Sequence, residues 1–177
     1  MSKNIREKLY GAVRDVPDFP EKGIVFKDIT PLLLDPELLD AAVGEICVAF
    51  QDENVEKVMA IESRGFIFGA PVAMRLGAGL VLARKAGKLP WKRHRVEYAL
   101  EYGTDVIEVH VDSISDGERV LVVDDVLATG GTAQAAGRVV EQAGGKLVGM
   151  AFLLELGFLS GRDKLGGADV RALLSYD

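Results

Sequence analysis

An α/β fold, with an open, mostly parallel central sheet flanked by helices, is predicted from three features of the sequence. Short apolar runs alternate along the chain with longer segments of helical period. The run RVLVVD (119–124) has no apolar–polar alternation, as expected of a strand covered on both faces. Glycines close the helical segments, at Gly77 and at Gly144–Gly145.

The elements follow in order. Ile5, Leu9 and Val13 recur every four residues and predict a short N-terminal helix. Residues 16–31 are broken by Pro17, Pro20, Gly23 and Pro31, which predicts irregular chain with a brief extended piece at Ile24–Phe26. A helix is expected from Asp35 to Phe50, with Asp35 as N-cap, Pro36 at the first helical position, and Leu39, Val43, Ile46 and Phe50 on one face. KVMAIE (57–62) and GLVLAR (79–84) read as strands on either side of a helix over about 66–77. VEYALEYG and DVIEVHV alternate and predict an antiparallel hairpin around Gly103 and Thr104. RVLVVD, a helix over about 132–143, KLVGMAFLLEL and VRALLSY complete the pattern. The whole of 1–177 is expected to form a single domain, with about 1–35 as a small N-terminal hood.

Composition narrows the function. The net charge is −6, which disfavours nucleic acid as a partner. No apolar run approaches the length of a membrane span, and MSKNIREKLYG has no signal-peptide pattern, so no membrane association is expected. Cys47 is the single cysteine, expected on a buried helix face; it allows no internal disulfide and suits a cytoplasmic location. Two histidines and one cysteine do not make a structural zinc site, and His110, among apolar residues, is expected to be structural. Against this acidic background, RKAGKLPWKRHR (84–95) holds six of the 21 Lys and Arg residues. That is either a solvated loop or a local anion site.

The stretch RVLVVDDVLATGGTA (119–133) points to the chemistry. In an open parallel sheet, ligands bind beyond the carboxyl ends of the strands. Asp124 and Asp125 stand at such an end, and Ala128, Thr129, Gly130, Gly131 and Thr132 lead into a helix. The first amides of a helix have no internal partners and its dipole favours an anion. Glycines let the backbone approach a phosphate, and threonine hydroxyls add donors. An acid pair followed by a phosphate cradle fits a ribose 5-phosphate, whose vicinal hydroxyls lie near the phosphate.

VLVVDDVLATGGT resembles the phosphoribosyl-pyrophosphate (PRPP) motif of the type I phosphoribosyltransferase family. FPEKGIVFKDITPLL (19–33), IESRGFIFGAPVA (61–73), RKAGKLP with EYALEYG, and ELGFLSGRDKL (155–165) resemble its adenine phosphoribosyltransferase branch, so the likeness covers nearly the whole chain. The resemblance implies the type I phosphoribosyltransferase fold, with a flexible basic lid and hairpin at about 84–103. It implies transfer of the phosphoribosyl group of PRPP to adenine, giving AMP and pyrophosphate in purine salvage, with Mg²⁺ and as a homodimer.

Roles follow by the same resemblance. Asp124 and Asp125 face the ribose hydroxyls, directly or through Mg²⁺ and water, with no direct protein cage for the metal. Ala128, Thr129, Gly130, Gly131 and Thr132 hold the 5-phosphate. Ser63, Arg64, Arg84, Lys85, Lys88 and Tyr102 bind pyrophosphate, with a cis peptide expected at Glu62–Ser63. Position 62 is more often Asp in the family. Glu101 takes the proton that adenine loses. Val25 and Lys27 read the adenine edge through their backbone, Phe26 stacks on the ring, and Leu159 closes the pocket; periodicity alone would make Phe26 and Leu159 ordinary core. Lys92, Arg93, His94 and Arg95 match no motif and are expected in a solvated loop, with Trp91 at its tip.

Other readings use the same residues. A phosphoribosyltransferase for hypoxanthine, guanine, xanthine or orotate would share the PRPP motif, as would a non-enzymatic PRPP-binding regulator. VLVVDD also opens many response-regulator receiver domains, but ATGGT has no role in that fold.

Overall fold

The computed structural model describes residues 2–99 and 103–177. They divide into two compact units, Met1–Glu45 and Ile46–Asp177.

In the first unit, α1 (Lys3–Gly11) is capped by Ser2, whose hydroxyl accepts from the Ile5 amide, and it buries Leu9. Strands β1 (Arg14–Pro17) and β2 (Val25–Asp28) then pair antiparallel, Val16 opposite Phe26. The extended piece expected at Ile24–Phe26 is found in β2, from Val25, and the chain between the strands is irregular as expected, but the pairing strand β1, which takes in Val16 and Pro17, corrects the expectation there. The breakers sit in the connection: Asp18 has φ 57°, Gly23 has φ 91°, and Phe19–Pro20 is cis. Two cross-strand ion pairs close the hairpin, Arg14–Asp28 and Lys27–Asp15, both at 2.6 Å. A short helix, α2 (Thr30–Leu34), was also not expected. Its start is fixed by Asp28, whose Oδ1 accepts from the Thr30 hydroxyl and amide. The Thr30 hydroxyl and then Arg14 pull the Asp28 carboxyl down to about 2. α3 (Pro36–Phe50) begins as expected, with Asp35 Oδ1 accepting from the Glu37 and Leu38 amides.

The second unit holds a seven-stranded sheet in the order β5-β6-β4-β3-β7-β8-β9. Its strands are β3 (Lys57–Ile61), β4 (Gly79–Lys85), β5 (Arg93–Ala99), β6 (Thr104–His110), β7 (Arg119–Leu127), β8 (Lys146–Leu156) and β9 (Val170–Tyr176). β4, β3, β7, β8 and β9 run parallel, while β6 returns antiparallel to β4 and β5. Parallel neighbours need crossovers, supplied by α4 (Gly65–Leu76) and α5 (Gly131–Gln142). Alternate residues of the strands face the two helices. Met59, Ile61, Val120, Val122, Met150 and Phe152 form one buried cluster with Ala133, Ala136 and Val140 of α5. On the other face α4 lies so close that a Cβ on Gly69 would strike that of Ala60. Gly77 ends α4 in the left-handed conformation, φ 67°.

Phe50, fully buried, fills the space that glycine leaves at 149 of β8. Cys47 is only half-buried, its thiol 4.0 Å from the Val72 carbonyl, and burial raises its pKa. Among the described residues, no helix is long and apolar enough to cross a membrane.

The solvated loop expected at Lys92–Arg95 is likewise corrected. Arg93, His94 and Arg95 begin β5, opposite His110, Val109 and Glu108 of β6. Glu108, 1% exposed, explains why charged residues are held in a strand: it accepts from Arg93 Nε at 2.9 Å and from the Gly87 amide at 3.1 Å. Trp91 packs edge-on against His110 at 6.3 Å and remains half-exposed.

Candidate active site

The acid pair is placed by unequal strand lengths. β3 pairs with β7 only as far as Ala60 opposite Val123, then turns away through Glu62–Ser63. β7 continues to Leu127 beside β8. The sequence suggested a strand end for Asp124 and Asp125; they are instead within the strand, yet they lie beyond the last residue of β7 that pairs with β3. The start of α4 closes on the gap. A Cβ on Gly65 would lie 2.8 Å from the Val123 carbonyl and 2.9 Å from Asp124 Oδ1.

Neither carboxylate is solvated in the ordinary way. Asp125 is 5% exposed. Asp124 Oδ1 accepts from the Asp125 amide at 2.9 Å. Arg64 Nε approaches Asp125 Oδ2 to 2.5 Å as an ion pair, although this oxygen has no directed hydrogen bond. Burial raises the pKa of both acids; the Asp125 charge raises Asp124 further, and Arg64 opposes the rise at Asp125. Such a pair gains most when a positive charge or a hydroxyl donor arrives beside it.

The cradle follows directly. Gly130 adopts φ 79° as the N-cap of α5, a conformation that disfavours a side chain. A Cβ on Gly130 would strike the Gly161 carbonyl, and one on Gly161 would strike the Ala128 carbonyl. The loop is thus clamped backbone to backbone. Asp124, residues 126–133 and Phe152 line a cavity of about 80 Å³. At its floor the first turn of α5 presents amides, and Gln134 is the first to bond back, to the Gly130 carbonyl.

Gly161 is held in turn by Arg162. Its Nε contacts both oxygens of buried Glu155 at 2.7 and 2.8 Å, and its Nη1 donates to the Val170 carbonyl. These residues lie in GRDKL, where the sequence gives no hint that a glycine thirty residues away supports the loop.

The basic residues after β4 are distributed among carboxylates. Arg84 bridges to Glu62, with Nε and Nη2 each 3.2 Å from a carboxylate oxygen, and Glu62 also accepts from the Lys85 amide. Chiefly through Arg84, the Glu62 pKa is lowered. Lys85 Nζ is 3.4 Å from Asp105. Lys88 and Ser63 are exposed, and Glu62–Ser63 is cis, as expected. Sequence reasoning missed Glu62, Asp105 and Glu108 as partners of the cluster. The nearest signal was the unusual Glu at 62.

Of the expected base-contacting residues, Val25 is 46% exposed and Leu159 36% exposed. Phe26 is half-buried, edge-on to Phe19 at 5.3 Å, so neither Phe26 nor Leu159 is the core residue that periodicity alone suggests. Lys27 pairs with Asp15. Glu101 and Tyr102 lie outside the described residues.

Residues 37–166 match the phosphoribosyl transferase domain family. An Anaeromyxobacter adenine phosphoribosyltransferase is 57% identical over 170 residues, covering 96% of each chain. The crystal structure of adenine phosphoribosyltransferase from Rhodothermus marinus superposes with a TM-score of 0.94 at 52% identity, covering 99% of this chain and 100% of that one. The enzyme from Saccharomyces cerevisiae, crystallised with adenine and an imino-altritol bisphosphate, gives 0.93 at 38% identity, covering 98% and 100%. Matched along its length in sequence and in fold, the chain belongs to the phosphoribosyltransferase family, in its adenine phosphoribosyltransferase branch.

Proposed function

We propose that the chain transfers the 5-phosphoribosyl group of PRPP to adenine, forming AMP and releasing pyrophosphate in purine salvage. The observation that supports this most is the acid pair, Asp125 buried and Asp124 lining the cavity, beside the clamped, amide-lined loop. The arrangement supports a ribose site and a phosphate site within one short stretch of chain. As the reaction proceeds, the C1′–oxygen bond to pyrophosphate breaks, N9 of adenine bonds to C1′, and positive charge develops on the ribose. Asp124 and Asp125 stabilise that charge and orient the ribose hydroxyls, because preorganised charge in a water-poor site acts strongly on the transition state. The amides and hydroxyls of 128–132 hold the 5-phosphate. Arg64, Arg84, Lys85 and Lys88, with Ser63 and Tyr102, receive the leaving pyrophosphate.

The residues suit Mg²⁺ carried in with the substrate. Asp125 Oδ2 is a buried acceptor without a directed hydrogen bond, while no cluster of three ligating side chains occurs among the described residues. The bound metal would neutralise charge on the pyrophosphate and keep several waters.

Val25 and Lys27 read the adenine edge through their backbone, with Phe26 and Leu159 on the ring. Glu101 accepts the proton lost from the base. Glu101→Gln is expected to lower kcat by roughly 10²-fold, the usual size for an acid–base group, with PRPP binding retained in calorimetry. Unchanged turnover would remove Glu101 from this role.

A cytoplasmic homodimer fits the single cysteine and the surface of the second unit. Ile67 and Met74, one above the other on α4, are 39% and 83% exposed, and Leu80 and Leu82 of β4 are 43% and 41% exposed. Met74→Glu is expected to shift sedimentation from twice the 19.1 kDa chain mass toward one chain; an unchanged dimer would place the interface elsewhere.

The function is tested by supplying PRPP, Mg²⁺ and each base in turn and measuring pyrophosphate. Release with adenine is expected. Release with hypoxanthine alone would move the assignment to another base, and none with any base would favour a regulator.

A further inference from the structure

Tyr98, on β5, is 9% exposed, and the hydroxyl of this buried ring touches two groups that belong to different parts of the site. Thr132, in the first turn of α5, donates from Oγ1 to the Tyr98 hydroxyl at 3.3 Å. The Tyr98 hydroxyl donates to Asp105 Oδ2, also at 3.3 Å, across the β5–β6 pair where the two residues are in register. The same Asp105 oxygen lies 3.4 Å from Lys85 Nζ at the end of β4. The ring itself lines the loop, since a Cβ on Gly131 would sit 3.6 Å from Tyr98 Cδ2.

We propose that Tyr98 is a positioning residue for the phosphoribosyl donor, joining Thr132 of the 5-phosphate cradle to Asp105 and so to Lys85 of the pyrophosphate cluster. The proposal rests on the roles given above to Thr132 and Lys85. A phenol has one proton and can also accept one. Asp105, ionised, is the stronger acceptor, so the phenol proton points there and Thr132 donates to the phenol oxygen. This fixes the Thr132 side chain before a ligand arrives. When the 5-phosphate arrives, Thr132 can turn its proton to the phosphate while its oxygen accepts the phenol proton. Asp105 then loses the phenol as a donor, and the change reaches Lys85. Burial raises the phenol pKa, so the group keeps its proton. The ring packing is independent of the hydroxyl, which allows the two to be separated.

The test is Tyr98→Phe, which removes one oxygen and keeps the ring, combined with Thr132→Val. Tyr98→Phe is expected to raise KM for PRPP about 5–10-fold, the scale of a lost hydrogen bond. The adenine KM, kcat at saturating PRPP and the melting temperature should stay nearly unchanged, which a merely structural role would not allow. In the Thr132→Val background, the added effect of Tyr98→Phe should fall below about twofold, because the partner is already gone. Asp105→Asn approaches the chain from its other end and should raise the PRPP KM with the same selectivity. An unchanged PRPP KM in Tyr98→Phe, with a raised one in Thr132→Val, overturns the positioning role alone. Equal effects of Tyr98→Phe in both backgrounds overturn it too. An unchanged PRPP KM in Thr132→Val overturns the cradle assignment, and the proposal with it.

Discussion

Asp124→Asn is expected to lower kcat/KM for PRPP by roughly 10²–10³-fold while raising the melting temperature of the free protein at neutral pH. The two effects have one cause. Burial and the neighbouring Asp125 raise the Asp124 pKa above its ordinary value of 3.8, so the fold holds a proton that the unfolded chain would release. Between the ordinary and the raised value the native state binds more protons than the unfolded one. Stability therefore falls as pH rises through that window, and above it the cost of a charged pair remains. Asparagine removes the cost. A gain on the order of 2–4 °C, about 1 kcal/mol in a domain of this size, is expected at pH 7.5. It should shrink as pH falls toward the ordinary carboxylate pKa of 3.8 and vanish below it, where both acids are protonated in either state. Thermal melts of the two proteins at several pH values check this directly. A variant that is less stable at neutral pH would mean that the pair supports the fold and is not held ready for a ligand.

Gly161→Ala is expected to weaken PRPP binding by about 10²-fold, the cost of misplacing a binding group by roughly an ångström. The glycine is needed for space: its Cβ would enter the Ala128 carbonyl and lie 3.0 Å from the Gly130 amide nitrogen. Something must move, and the loop of 128–130 is the less anchored side. Arg162, tied to Glu155 and to the Val170 carbonyl, holds the other. Circular dichroism should remain that of the wild type, and calorimetric titration with PRPP should show the loss. Unimpaired binding would mean that the loop yields without losing its geometry, and that backbone clamping is not what shapes the cradle.

The sequence made the parallel strands, the crossover helices and the PRPP stretch legible, because they depend on local signals. VLVV is apolar without alternation, Gly130–Gly131 precede a helix, and Asp35–Pro36 begin one. Where it misled, the deciding contact was distant. Arg93, His94 and Arg95 look like solvated chain until Glu108, buried fifteen residues beyond Arg93, is seen to hold the strand. β1 was hidden by the prolines around it, which mark the turn between two strands and not the absence of strands. Asp124 and Asp125 looked like a strand terminus because the chain turns small and polar just after them. What sets them apart is that β3 ends sooner than β7. Gly161 and Tyr98 could not have been found by pattern, since each meets the 128–132 loop from a segment about thirty residues away in sequence.

The most direct measurement is a crystal structure with AMP. The phosphate is expected at the amides of 129–132, the ribose hydroxyls toward Asp124 and Asp125, and the adenine ring against Phe26 with its edge on the backbone of Val25 and Lys27. A phosphate bound away from the start of α5, or a ribose turned from the acid pair, would contradict the account.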